Sequence, residues 1–109
     1  MIFGSFQAGQ VGMLDIMNPN EFKQVSVVNL GVDTGPHSIH LTHDDKRLIV
    51  TDYFLDQGTF GKIHFEGDHK VRVLNVSDDA LTVDPNFQVV DFNTAFPTGP
   101  ARPHGIAMK

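Results

Sequence analysis

The chain has 109 residues, a formal net charge of −5, 40% hydrophobic and 19% charged residues, and no cysteine. This describes one small ordered domain at most. It supplies no basic stripe for nucleic acid, no apolar run long enough to span a membrane, and no thiol for a disulfide, a thiolate metal site or a nucleophile.

Along the chain, apolar and polar residues alternate in short runs bounded by Gly, Pro, Asn and Asp, the period of strands and not of helices. Eight strands are predicted, at about 1–7, 10–16, 24–30, 35–42, 46–54, 69–77, 86–92 and 103–109. Asn18-Pro19-Asn20 reads as a turn after the second strand, because Pro fixes φ and has no place inside a central strand. His43-Asp44-Asp45-Lys46 reads as a tight polar turn in which Asp side chains cap their own backbone. Residues 55–68 form a long inserted loop containing Gly58, Gly61 and Gly67; loops of that length carry function or move. Its Gly58-Thr59-Phe60-Gly61-Lys62 stretch lacks the spacing and following helix of a phosphate loop. Asp84-Pro85-Asn86 reads as a second Pro turn matching the first. Asp33 and Asp91 read as local turn caps. The phenylalanines alternate with polar neighbours and read as core.

The chain also repeats itself. Thr34-Gly35-Pro36-His37-Ser38-Ile39 returns as Thr98-Gly99-Pro100-Ala101-Arg102-Pro103-His104-Gly105-Ile106. Leu48-Ile49-Val50-Thr51-Asp52-Tyr53 matches Met1-Ile2-Phe3-Gly4-Ser5-Phe6, and Val71-Arg72-Val73-Leu74-Asn75-Val76 matches Val11-Gly12-Met13-Leu14-Asp15-Ile16. Fixed-order echoes of short apolar stretches mark a repeat architecture. The expected fold is all-β, with β-propeller-type four-stranded antiparallel blades, about two per chain. Strands two to four of one blade occupy 1–30, a full blade with the inserted loop occupies 35–92, and a lone inner strand occupies 103–109. A propeller needs four to eight blades to close. Two outcomes follow: the chain is part of a longer protein that holds the remaining blades, or copies join head to tail into a ring. A β-sandwich built from the same hairpins is the third arrangement the pattern allows.

With these motifs in place, the second half resembles the C-terminal end of the selenium-binding protein family, which includes the methanethiol oxidases. The likeness runs through Asp45-Lys46-Arg47-Leu48-Ile49-Val50-Thr51, Val71 to Val76, Leu81-Thr82-Val83-Asp84-Pro85-Asn86-Phe87, Val90-Asp91-Phe92, Gly99-Pro100-Ala101 and His104. It implies a propeller of about seven blades, binding of a small thiol or selenium compound and, in the oxidases, copper-dependent chemistry on methanethiol. The chain matches only the last two blades or so and has no cysteine at the position tied to selenium binding. The resemblance therefore carries fold further than activity, and catalysis by this polypeptide alone is not expected. The composition and the absence of an apolar leader fit a cytoplasmic protein.

Imidazole suits copper, zinc, iron and nickel. His37 and His104 stand at repeat-equivalent positions at the start of an inner strand, where blades converge on a channel. They are the leading metal candidates, the alternative being that each caps its strand on a backbone carbonyl. His64 and His69 flank the inserted loop and form a second candidate pair, with Glu66 and Asp68 between them. His40 and His43, beside Asp44 and Asp45, read as surface groups. Asp52, in a strand centre, reads either as a strand tie or as a buried carboxyl with a shifted pKa. Three functions follow: a piece of a copper-dependent thiol oxidase, a non-catalytic binding or assembly module, and a fragment that keeps the fold without the chemistry.

Overall fold

The computed structural model describes residues 1–32, 34–53, 56–57, 63–64 and 67–108, with the backbone alone at 56–57 and 63–64. The described residues form no helix, and the fold is all-β. Ten strands run in chain order: β1 (Ile2–Ser5), β2 (Gln10–Asp15), β3 (Lys23–Asn29), β4 (Pro36–Leu41), β5 (Arg47–Asp52), β6 (Asp56–Gln57), β7 (Ile63–His64), β8 (Lys70–Val76), β9 (Leu81–Val83) and β10 (Val90–Asp91). Among the described residues no helix is long and apolar enough to cross a membrane.

Two antiparallel sheets make the body. The first has the order β1-β2-β3; the second has the order β4-β5-β8, with β9 and β10 both pairing the far side of β8. A short β6–β7 ladder lies within the 55–68 insertion; residues 55, 58–62, 65 and 66 of that insertion, Glu66 among them, and Asp33 lie outside the described residues. Directly opposed residues share a face, so β5 and β8 turn Leu48, Val50, Leu74 and Val76 to one side. On the first sheet Ile2, Val11, Met13 and Val28 share a face. The two faces meet: Val11, Met13, Leu48, Val50, Leu74 and Leu81 form one buried cluster, with Ile2, Val28, Leu30, Ile39 and Val76 packed against it. Gly4 packs so closely on β4 that a Cβ there would lie 2.7 Å from the Pro36 carbonyl oxygen.

The internal repeat holds in register. Ile2↔Met13, Phe3↔Gly12 and Gly4↔Val11 pair in the first sheet, and their counterparts Ile49↔Val73, Val50↔Arg72 and Thr51↔Val71 pair in the second. The two Pro turns, by contrast, are alike only locally. In both, an Asx side chain accepts from the amide two residues on, Asn18 from Asn20 and Asp84 from Asn86. Yet Asn18–Asn20 connects β2 to β3, whereas Asp84–Asn86 interrupts the outer strand of the second sheet between β9 and β10.

Two of the expected strands differ, and one strand is additional. The strand expected over 86–92 shrinks to Val90–Asp91, and Leu81–Val83 is an additional three-residue strand, because Pro85 lacks the N–H a continuous ladder would use. Residues 103–108 take part in no ladder. Pro103 has no N–H to donate there, and the His104 N–H makes a local bond to the Arg102 carbonyl, 3.0 Å. The polar turn after β4 forms as expected: the Thr42 hydroxyl donates to Asp44 (2.6 Å), the Lys46 amide donates to the same oxygen, and Asp45 takes φ 58°.

Candidate functional site

His37 enters the site through a defect in its strand. In the β4–β5 ladder Pro36 opposes Asp52 and Ser38 opposes Thr51, so His37 is the extra residue of a β-bulge. Bulges interrupt side-chain alternation and re-aim a residue. The strict alternation that sets His37 on the Ile39 and Leu41 face is therefore broken at this residue. The imidazole is exposed and packs edge-on against Phe6 (ring centroids 6.2 Å) and Tyr53 (5.5 Å).

His104 comes to the same place from the other end of the chain. Ala101 N–H donates to the Phe92 carbonyl at 2.9 Å, and Pro103 is buried, which anchors the segment against the second sheet. The His104 ring then lies 4.8 Å from His37 and 4.5 Å from Tyr53, tilted by 39° and 43°. The two repeat-equivalent histidines thus meet, with Tyr53 as a third ring that the sequence reading did not place here. The available signal was position: Tyr53 follows Asp52, and its N–H bonds the Gly35 carbonyl just before the bulge.

His69 sits apart from this cluster. It is 8% exposed with φ 50°, and its Nδ1 lies 3.0 Å from Asn93 Oδ1. An amide oxygen only accepts, so Nδ1 carries the proton, and Nε2 is a buried nitrogen without a partner among the described residues. The His64 backbone pairs with Asp56, and its side chain lies outside the described residues. His40 is half-buried and His43 exposed. Asp91 caps the Asn93 amide at 2.9 Å, which holds its carboxyl below the ordinary value.

A second cluster lies under the first. Asp52 is 0% exposed on the core-facing side of β5. Its Oδ2 accepts from Arg72 Nε at 2.8 Å. The same guanidinium bonds Asp68 through Nη2, and Lys70 approaches Asp68 at 3.3 Å. Asp52 Oδ1 and Asp68 Oδ1 are buried without a partner among the described residues. Burial pushes the Asp52 carboxyl up to about 7; the Arg72 hydrogen bond opposes that shift and the neighbouring Asp68 adds to it. The register explains the encounter: Arg72 opposes Val50, so it faces the core side that Asp52 shares.

No protein-family model, curated protein or solved structure matches the chain. Among the described residues no three His, Cys, Asp or Glu side chains gather where they could hold a metal. His37 and His104 are two neighbouring imidazoles open to solvent. Two imidazole donors alone leave a metal ion's coordination incomplete.

Proposed function

We propose that this chain is a two-blade piece of a β-propeller of the selenium-binding protein type, whose His37 and His104 bind a first-row transition ion, copper first among them. The observation that carries this reading is the meeting of His37 and His104, 4.8 Å apart, from repeat-equivalent positions at opposite ends of the chain. The resemblance of 45–51, 71–76, 81–87, 90–92, 99–101 and His104 to that family supports it, as does the matched register of the two sheets. Copper bound there supplies a thiophilic, redox-active centre for a small thiol or selenium compound. The chain's own residues orient it: the bulge aims His37, Pro103 holds His104 in place, and Tyr53 packs against both rings. Because one chain offers only two imidazoles, the remaining donors come from other blades, from substrate or from water, and catalysis belongs to the completed ring.

The test is metal titration of the purified chain with Cu(II) and Zn(II), followed by calorimetry and by metal content after gel filtration. His37→Ala and His104→Ala each weaken binding by at least tenfold while the β-type circular dichroism is unchanged. Metal uptake equal to wild type in both variants removes the histidine site and leaves the three rings as a packing cluster.

A second reading, a non-catalytic binding or assembly module, is favoured by a separate observation. The first sheet ends in β1, whose outer edge is unpaired among the described residues, beside an open cleft of about 830 Å3 lined by Met1, Ile2, Ile39 and Leu41. Soluble proteins cover such edges.

A further inference from the structure

The free edge of β1 and the unladdered segment 103–108 are complementary. In the second sheet β4 covers the edge of β5 with Leu41 opposite Leu48, Ile39 opposite Val50 and Ser38 opposite Thr51. The repeat maps β5 onto β1 and the start of β4 onto residues from Pro103. The same pairing carried through the repeat sets Met108 opposite Met1, Ile106 opposite Phe3 and Gly105 opposite Gly4.

The hydrogen-bond phase agrees with this register. Met1 and Leu14 exchange both backbone bonds at 2.8 Å, so odd-numbered residues of β1 bond β2, and Ile2 and Gly4 turn their N–H and C=O to the open edge. The mapped register brings Ala107 and Gly105 to those two residues. Neither is proline, and neither takes part in a ladder. Both are small, as the face turned toward β4 requires where Gly4 already meets Pro36. Met1 and Met108, 57% and 37% exposed, would cover each other.

Within the single chain this pairing is not made, since 103–108 takes part in no ladder. His104 lies against His37, and Met108 shares a cleft with Leu41, so 103–108 runs alongside β4 and parallel to it. The first sheet packs on the core face of that same second sheet.

We propose that residues 103–108 of one copy add as an antiparallel strand to the free edge of β1 in the next copy, with Ile106 opposite Phe3. This rests on the assembly reading and names its partner and register. Each junction then completes a four-stranded sheet from two chains, and two to four copies close a ring of four to eight blades.

The absence of cysteine makes the test clean. Chains carrying Phe3→Cys and chains carrying Ile106→Cys are mixed, oxidised mildly and run without reductant, while light scattering gives the mass of the wild-type chain. The wild-type amides of Ile2 and Gly4 are followed by hydrogen exchange, which needs no substitution. The expected results are a multiple of the single-chain mass, a disulfide-linked pair of unlike chains, and protection of both amides by at least tenfold over the same amides in a chain ending at Arg102. A multimer without the cross-link and without amide protection overturns the pairing and leaves assembly through another surface. A single-chain mass at every concentration overturns both the pairing and the assembly reading.

Discussion

At the scale of residues, Asp52 is where burial and charge compete most sharply. Its carboxyl is wholly buried, one oxygen bonded to Arg72 and the other without a partner among the described residues. Arg72 serves two carboxylates, so its single charge does not offset both. The outcome is a carboxyl near 7, where an unfolded aspartate titrates at about 3.9. The folded chain therefore holds this proton more tightly than the unfolded chain. The stability it contributes is whole below about pH 4 and is lost as pH rises through about 7, with a slope of at most about 1.4 kcal/mol per pH unit. Asp52→Asn keeps the shape and an acceptor for Arg72 without the buried charge. Urea unfolding between pH 5 and 8 should show the wild type losing stability with rising pH and the variant following a flatter line. Parallel lines would mean that Asp52 is ionised beside Arg72 throughout the range.

At the scale of elements, the hairpins depend on a few backbone positions. Gly9 closes the β1–β2 hairpin at φ 62°, where a Cβ would lie 1.5 Å from the Gly31 carbonyl oxygen. No rotamer relieves a clash with backbone. Gly9→Ala is expected to cost more than about 2 kcal/mol, beyond the 1–2 kcal/mol of the left-handed conformation alone. Gly105→Ala, with nothing within 4 Å of its Cβ in the single chain, should leave monomer stability within about 0.5 kcal/mol. Denaturant midpoints of the two variants check both numbers, and equal midpoints would contradict the Gly9 packing. Much of this layer was legible in the sequence. The strands at 1–7, 10–16, 24–30, 35–42, 46–54 and 69–77 form close to where alternation sets them, because each has one face committed to a shared core. The splitting of the outer strand was not legible, since Asp84-Pro85-Asn86 looks like Asn18-Pro19-Asn20 and differs only in what lies on either side. The His37–His104 encounter was legible through the repeat. The bulge that aims His37 was not, because a bulge is a mismatch between two strands and alternation describes only one. Nor was the Asp52–Arg72–Asp68 cluster, which needs the β5–β8 register and the course of the chain before Lys70.

At the scale of the whole molecule, the balance between core and surface favours company. Among the described residues the buried hydrophobic side chains are few, namely Val11, Met13, Leu48, Val50, Val73, Leu74 and Leu81, while Ile16, Met17, Phe22, Val25, Val27 and Val32 are exposed. Val27 opposes Gly12 and shares with Phe3 the face turned away from the second sheet. That face mixes these apolar residues with Ser5, Gln10 and Asn29, and exposed apolar groups of this kind mark interaction surfaces. The exposed outer face and the open β1 edge belong to the same sheet, so a copy docking through 103–108 would bring cover to both. Folding and association are then linked, and linkage makes apparent stability depend on protein concentration. The thermal midpoint of the full chain should rise by several degrees between about 2 and 200 µM, whereas a chain ending at Arg102 should melt lower and at one temperature throughout. The truncated chain should also bind copper at least tenfold more weakly, having lost His104. His104→Ala separates the two effects: it should lose the metal yet keep the concentration dependence, because strand addition uses the backbone of 105 and 107 and not the imidazole. A full chain whose midpoint does not move with concentration would mean that its own two sheets suffice, and the open edge would then need another partner.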